Sequence, residues 1–494
     1  MGLHVNLFKE HTMAETKVYQ MYINGAFIAS KETIPVTNPS TKEVISYIPK
    51  GSASDVAAAV ESAQIAQRLW EKLPAIERAG YLKKMAQKIR DNAEMLARTI
   101  TEEQGKVLGL ATVEVNFTAD YIDYMAEWAR RYEGEIIQSD RPNENIFLFK
   151  LPIGVAAGIL PWNFPFFLIA RKLAPALLTG NTIVIKPSSD TPNNAFEFAK
   201  LVDQIGLPKG VFNLVSGSGS LVGHALAGHE KVGIVSFTGS VEAGVKIMEA
   251  AAKNVTKVSL ELGGKAPAIV MCDADINLAV EAIKNSRVIN NGQVCNCAER
   301  VYVHKSIAQE FSDKITKAMA ATTYGNPLTE KVDMGPLINE AAIKHVQALV
   351  DSALNAGAKL TTGGKRASRS DGFYYEPTVL VDVKQEMGVI QEEIFGPVLP
   401  IMTFDTLDEV IGLANDCQYG LTSSIYTQNL DVAMRACKEI KFGETYINRE
   451  NFEAMQGFHA GWRKSGIGGA DGKHGLEEFL QTKVVYLQYN LNKQ

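Results

Sequence analysis

An α/β architecture is predicted for this chain, with two doubly wound domains and a small separate β-sheet, and three observations predict it. Between Gly154 and Gly264 short apolar strands alternate with helical stretches, the pattern of a parallel sheet covered on both faces. A second strand and helix series follows Arg300. Extended segments at 133–153 and near the chain end belong to neither series. With 494 residues, 46% of them hydrophobic, the chain is too long for one core and apolar enough to fill two or three.

Taken in order, Met21 to Ile28 is a hairpin, because Asn24-Gly25 between β-favouring residues suits a two-residue turn. Ser54-Asp55 is predicted to cap a helix through Val56, Val60 and Ala63, and helical periodicity runs over Pro74 to Ala97 and Val113 to Arg131. Residues 18–132 are therefore mostly helical and are assigned, with 154–264, to one domain. Ile136-Ile137 and Ile146 to Phe149 flank Pro142-Asn143-Glu144 as extended chain, and Val484 to Leu487 is strand-like too. Apolar strands left at a surface invite association, so 133–153 and 480–494 are read as an oligomerisation sheet.

In the first doubly wound unit, strands are predicted over Val155–Leu160, Thr182–Ile185 and Val211–Val215, and helices over Pro165–Leu178, Pro192–Ile205 and Ser220–Leu226. The run Gly217 to Gly223 misses a dinucleotide-binding fingerprint by one position, Val222 standing where the third glycine belongs, so an ordinary turn is an equal reading. Asp273 to Val288 is an amphipathic helix with Asp275 near its start. Val301–Val303, Ile307–Ala320, Ala341–Ala356 and Tyr374–Val381 then make the second domain, 265–465, with Gly363 to Gly372 as a charged surface loop.

Bulk properties remove several functions. A net charge of −5 without a Lys/Arg block interleaved with aromatics argues against a nucleic-acid partner. Five cysteines, at 272, 295, 297, 417 and 437, form an odd set without CxxC spacing, so reduced thiols, no metal site and a cytoplasmic location are expected. Met1 to Thr12 lacks the apolar core of a signal peptide, and Met13 is an alternative start. The apolar stretch Ile153 to Ala170 is broken by Pro161, Asn163 and Pro165, so it is not read as a membrane span.

Chemistry concentrates in Asn291-Gly292-Gln293-Val294-Cys295-Asn296-Cys297, where a cysteine sits among small and polar residues. An exposed thiol in that setting is deprotonated at modest cost and becomes a strong nucleophile; the competing reading is a small buried hydrophobe. Glu261, between Leu260 and Leu262 at the end of a β-like run, is a candidate base whose burial would raise its pKa, unless it pairs with Lys265 or Lys257. Asn163, between Trp162 and Phe164, is either an amide donor or a turn residue.

These stretches, with Pro161 to Pro165, Ile185-Lys186-Pro187-Ser188, Phe237-Thr238-Gly239-Ser240, Glu261 to Lys265 and Glu393 to Val398, resemble the NAD(P)-dependent aldehyde dehydrogenase superfamily from about Met21 onward. The resemblance implies that Cys295 forms a thiohemiacetal, that the Asn163 amide and the Cys295 N–H stabilise its oxyanion, and that Glu261 activates water to hydrolyse the thioester. Members that pass the acyl group to coenzyme A lack that glutamate. It further implies that 154–264 holds NAD or NADP, with the pyrophosphate near Ser240 and the helix after it, Lys186 at the adenosine ribose, Glu393 at the nicotinamide ribose, Phe395 beside the ring, and Trp162 and Gly219 close by. It implies a homo-oligomer, a dimer or tetramer, paired through the protruding sheet.

The chain also departs from the common family pattern. Relatives that prefer NAD read Lys-Pro-Ser-Glu, and the glutamate repels a 2'-phosphate; here Ser189 removes that repulsion. Arg171, Glu453 and His459 stand where many relatives line the substrate tunnel with aromatics, which favours a small hydroxylated aldehyde, although the three could instead pair with one another on a subunit surface. Asn448 to Trp462 and Phe117 to Tyr124 are similar to members that oxidise lactaldehyde and glycolaldehyde. Another polar aldehyde, such as a semialdehyde or an aminoaldehyde, and a non-catalytic protein on the same scaffold are the alternatives.

Overall fold

The computed structural model describes residues 16–489. The alternative start at Met13 and the last five residues of the proposed oligomerisation segment, 490–494, lie outside the described residues.

Two open sheets carry the architecture. In the first, eight strands run in the order Gly466–Ile467, Lys257–Glu261, Val232–Thr238, Val155–Ile159, Thr182–Lys186, Phe212–Leu214, Met21–Ile23 and Ala26–Ile28. Its five central strands are parallel, and the flanking pairs are antiparallel. In the second, Lys359–Thr362, Thr378–Val381, Val398–Phe404, Ala298–His304, Ala266–Val270, Thr422–Tyr426 and Glu444–Ile447 follow one another, parallel except at Lys359–Thr362. Strands covered on both faces must be apolar throughout, and Val155–Ile159, Thr182–Lys186 and Ala266–Val270 are buried over their whole lengths.

Helices Ala75–Asp91, Leu108–Ala126 and Phe167–Leu178 pack the largest core, through Leu82, Ile122 and Leu173 among others. Every residue of Phe167–Leu178 is buried, Arg171 and Lys172 included, so the two cations need partners inside the protein. Glu135–Gln138, Glu144–Pro152 and Leu480–Gln488 form the separate antiparallel sheet, its last two strands in register from Pro152–Leu480 to Glu144–Gln488. Apolar side chains are exposed on both of its faces, Ile136 being 75% exposed on one and Tyr486 66% on the other. No helix among the described residues is long and apolar enough to cross a membrane.

Some sequence expectations shift. The first helix, Ala53–Trp70, is capped by Ser52 and not by Ser54-Asp55: the Ser52 hydroxyl accepts the Asp55 N–H at 3.3 Å and the Asp55 carboxylate accepts the Ser52 N–H at 2.8 Å. The periodic run from Pro74 to Ala97 breaks at Asn92 into Ala75–Asp91 and Ala93–Gln104. Ser220–Leu226 is a wide turn, Gly219–Gly223, and one short helical turn, His224–Ala227. A sheet of Lys17–Val18, Val44–Pro49 and Thr33–Thr37 was not anticipated. Gly466–Ile467 hydrogen-bonds Leu260 and Glu261, so the chain leaving the second sheet closes over the end of the first and brings the 453–471 stretch to Glu261.

Candidate active site

A cavity of about 300 Å³ lies where the ends of the two sheets meet. It brings together Cys295, Glu261, Asn163, Arg171 and Glu453 with Trp162 and Ser240, which follow strands of the first sheet, and Glu393 and Phe395, which precede a strand of the second. Lys186, Ser189 and Gly219 do not line it and group beyond the same sheet edge, where the Ser189 hydroxyl donates to the Gly217 carbonyl at 3.1 Å. His459 is buried and also outside the lining.

The cysteine loop is shaped by three successive left-handed residues, Asn290 (φ 46°), Asn291 (φ 59°) and Gly292 (φ 75°). Only glycine fits the third position, since a Cβ there would lie 2.3 Å from both Arg287 Nη2 and the Gly396 carbonyl. Gln293 pins the loop from inside: its Oε1 accepts the Ile338 N–H at 2.9 Å and its Nε2 donates to the Asn290 carbonyl at 3.1 Å. Arg287, fully buried, pairs with Glu299 at 2.8 Å and donates to the Ala298 carbonyl at 2.9 Å. Glu299 in turn accepts Lys265 at 2.8 Å and the N–H groups of Ile394 and Phe395 at 2.9 and 3.1 Å, which ties the cysteine loop to the Glu393–Phe395 turn.

Asn163 is held from both sides. Its carbonyl accepts Lys106 Nζ at 2.8 Å and Asn290 Nδ2 at 3.1 Å, and its own Nδ2 donates to the Gln293 carbonyl at 2.9 Å, leaving one amide N–H for a ligand. Lys106 is paired at 2.6 Å with Glu114, whose other oxygen caps the Phe167–Leu178 helix by accepting the Phe166 and Phe167 N–H groups at 2.9 and 3.1 Å. The buried pair Lys106 and Glu114 therefore fixes both the asparagine and the helix bearing Arg171.

Two electrostatic expectations are corrected. Cys295 is half-buried and not exposed; burial pushes its thiol up, and a hydrogen bond from His459 works against that rise. Burial also pushes the Glu261 carboxyl up, but Lys172, Arg171 and His459 outweigh it and hold the group below the ordinary glutamate range. Glu261 accepts the Thr238 hydroxyl at 3.3 Å and lies 3.4 Å from Arg171 Nη1. It pairs with neither lysine considered from sequence: Lys265 goes to Glu299 and Lys257 to Glu478.

Arg171 is the hub of the polar wall. Its Nε and Nη2 bind the two Asp471 oxygens at 3.0 and 2.6 Å, Nη2 also reaches Glu453 at 3.0 Å, and one Nη1 hydrogen remains. The pairing of Arg171 with Glu453 thus exists, but it faces the cavity, and Asn296 Nδ2 donates to the second Glu453 oxygen. Sequence reasoning missed Asp471, Asn296, Lys172 and Glu444. Lys172 had a signal, a second basic residue inside an apolar helix; its buried ammonium, pushed down to about 8 by burial, donates to Ser236 at 3.1 Å and Thr238 at 2.8 Å. Arg171→Leu should destabilise the fold by about 3–5 kcal/mol, because three buried carboxylates lose their counter-ion. The midpoint of denaturant unfolding measures this, and an unchanged midpoint would contradict it.

The residues assigned to a dinucleotide suit one. Lys186 is 4% exposed and gives one hydrogen bond to the Pro187 carbonyl at 2.8 Å, leaving two donors of a buried ammonium for a polar ligand. Ser240 caps the helix Val241–Ala252 through the Ala243 N–H at 3.2 Å, and this helix start lines the cavity, where its unpaired N–H groups attract an anion. Phe395 stands edge-on to Trp162 with centroids 5.4 Å apart. Glu393 accepts the Gly264 N–H at 2.7 Å, and burial with the nearby Glu299 charge pushes it up to about 8. A Cβ at Gly263 would lie 2.4 Å from its carboxylate, so any side chain there would displace Glu393 from its present position.

The model of the aldehyde dehydrogenase family matches residues 27–485. The chain is 65% identical over 473 residues to lactaldehyde dehydrogenase of Escherichia coli (strain K12), covering 95% of this chain and 98% of that protein. It is 45% identical over 479 residues to 3,6-anhydro-alpha-L-galactose dehydrogenase of Vibrio sp. (strain EJY3), covering 96% and 100%. It is 40% identical over 477 residues to D-glyceraldehyde dehydrogenase (NADP(+)) of Picrophilus torridus, covering 95% and 96%. The crystal structure of the Escherichia coli lactaldehyde dehydrogenase superposes with a TM-score of 0.95 over 96% of this chain and 99% of that one.

Proposed function

This chain belongs to the aldehyde dehydrogenase family, and from that premise we propose that it oxidises a short 2-hydroxyaldehyde, lactaldehyde or glycolaldehyde, to the carboxylic acid with NAD or NADP. The observation that carries the substrate class is the polar wall of Arg171, Asn296 and Glu453 beside Cys295, in a cavity also lined by Phe117, Phe167 and Phe452. A substrate hydroxyl pairs with the free Arg171 hydrogen, the Asn296 amide or Glu453, whereas an alkyl chain leaves them unsatisfied. A semialdehyde carboxylate is a poorer fit, because Arg171 already faces Asp471, Glu261 and Glu453.

In the proposed sequence the Cys295 thiolate adds to the aldehyde carbon, and the free Asn163 N–H and the Cys295 N–H receive the oxyanion. The dinucleotide supplies the hydride acceptor. Glu261, ionised at neutral pH, then takes a proton from water, whose oxygen bonds the acyl carbon as the C–S bond breaks. Lys186, Ser189, Gly219, Ser240, Glu393, Phe395 and Trp162 are the proposed cofactor contacts. The exposed apolar residues of the small sheet support pairing into a homodimer or homotetramer, and the free cysteines suit the cytoplasm.

Comparing steady-state kcat/KM for lactaldehyde, glycolaldehyde, succinic semialdehyde, betaine aldehyde and hexanal tests the substrate class. The two hydroxyaldehydes should lead hexanal by about tenfold to a hundredfold, the worth of one or two buried hydrogen bonds; hexanal turned over equally well would overturn the assignment. Appreciable NADP turnover is also expected, since Ser189 presents a hydroxyl engaged with Gly217 and no charge. Ser189→Glu should shift the ratio of efficiencies toward NAD, and a ratio already overwhelmingly in favour of NAD and unmoved by the change would remove this role from residue 189.

A further inference from the structure

Behind the polar wall one residue holds a backbone conformation that side chains disfavour. Asp471 has φ 72° and ψ 162°, a region that is essentially glycine's alone, although the glycine of this turn is the next residue, Gly472 (φ 55°). The surrounding chain pins it. The His459 N–H donates to the Ala470 carbonyl at 2.9 Å and the His459 carbonyl accepts the Ala470 N–H at 2.8 Å; the Gly472 N–H donates to the Met455 carbonyl at 2.9 Å, and the Gly475 N–H to the Asp471 carbonyl at 2.8 Å. His459, expected on the substrate wall, serves as one of these anchors, its Nδ1 lying 2.6 Å from Glu444 Oε1. Glycine at 471 would relieve the conformation, and what aspartate adds is a carboxylate. That carboxylate is buried, lies outside the cavity lining, and spends both oxygens on Arg171, Oδ1 on Nε at 3.0 Å and Oδ2 on Nη2 at 2.6 Å.

We propose that Asp471 is a positioning residue for substrate selection: its two-point grip sets the plane of the Arg171 guanidinium and so directs the remaining Nη1 hydrogen to the substrate hydroxyl, and the strained turn is what brings a carboxylate to the guanidinium edge. This rests on the reading of Arg171 as a donor to that hydroxyl. Two parallel N–H···O bonds fix the direction of a guanidinium as well as its distance. Phe167 covers one face, its ring centroid 4.8 Å from the guanidinium carbon. Nε and Nη2 are held by Asp471 and Glu453, which leaves Nη1, 3.4 Å from Glu261, as the corner free for a ligand. Without the Asp471 carboxylate, Glu453 and Glu261 are the acceptors that remain, and the guanidinium is free to turn toward them and take its last hydrogen away from the substrate. Asp471 touches neither substrate nor cofactor in this scheme and acts only through the arginine.

Lactaldehyde and propanal differ only by the hydroxyl, so the ratio of their kcat/KM values reads this contact. Asp471→Gly should lower the ratio by about tenfold or more, as a rise in KM for lactaldehyde at nearly constant kcat. Asp471→Asn, which keeps one acceptor oxygen, should fall between Asp471→Gly and the wild type. Arg171→Lys, which keeps the charge and loses the fork, should lower the ratio too, and joined with Asp471→Gly it should lose no more than Arg171→Lys alone. If Asp471→Asn does not fold, Asp471→Gly, free of the backbone strain, carries the comparison. A ratio unmoved in the Asp471 variants, or efficiencies for the two aldehydes that fall by the same factor, would reduce Asp471 to a structural ion pair and overturn the proposal. Effects of Asp471→Gly and Arg171→Lys that multiply would overturn action through the arginine. An Arg171→Lys enzyme that keeps the wild-type ratio would instead overturn the reading of Arg171 as the donor to the substrate.

Discussion

Cys295→Ala should lose aldehyde-dependent cofactor reduction by a factor on the order of 10⁴ or more, with cofactor binding retained, while Cys297→Ala should keep most of its activity. The two thiols are two residues apart and differ in their access to the cavity. Cys295 lines the cavity. Cys297 is fully buried, donates to the Val294 carbonyl at 2.9 Å, and is pushed up to about 12 by burial, so it is a thiol at any physiological pH. Its loss removes one weak hydrogen bond and a small volume from a loop that Gln293, Asn290 and Arg287 already hold. Steady-state rates for the two variants, with dinucleotide binding followed by fluorescence titration, settle the matter; equal loss in both would mean that the cysteine pair acts through the loop.

What was legible in the sequence follows the range of the interactions involved. Hydrophobic periodicity located the central strands Val155–Ile159, Thr182–Lys186 and Phe212–Leu214 of the first sheet because burial on a sheet face is a local pattern, and the Asn24-Gly25 turn was legible from its residue types, whereas Ala266–Val270, Val398–Phe404, Thr422–Tyr426 and Glu444–Ile447 of the second sheet were not anticipated. The misplaced cap had a local cause: Ser52 and Ser54 both stand near Asp55, and only the reciprocal bonds of Ser52 with Asp55 separate them. The helix break at Asn92 interrupts no periodicity and so left no trace. In the site, Cys295, Glu261, Asn163 and Glu393 lie in short stretches whose composition is itself unusual. Their electrostatic partners do not. Asp471 binds Arg171 from 300 positions away, and Glu444 reaches His459 only because the chain turns back after its strand. Reading Glu261 as a buried carboxylate with a raised pKa used the one force a local sequence displays. The cations that reverse the sign, Lys172 and Arg171, come from a different helix.

Glu261→Gln should separate the two halves of the reaction. The change is isosteric and can keep the Thr238 contact, and Arg171 retains Asp471 and Glu453, so the fold and the first half-reaction should survive. A single-turnover burst of reduced cofactor should therefore remain, with the steady-state rate down by roughly 10²-fold or more because nothing else activates water. The pH dependence is tied to the sign of the Glu261 shift. A carboxyl held below its usual range by Lys172, Arg171 and His459 stays ionised through neutral pH and loses its basicity only as pH falls below the ordinary glutamate value of 4.5. Thioester hydrolysis in the wild-type enzyme should thus show no acid limb from this group between about pH 8 and pH 5, in contrast to a base raised by burial alone. Rapid mixing gives the burst and its decay, and mass spectrometry of the quenched variant should show the acyl group on the peptide containing Cys295. A burst that vanishes together with the acyl-enzyme would place Glu261 in the first half-reaction, and a hydrolytic step that weakens steadily from pH 8 to pH 6 would show that burial outweighs the cations.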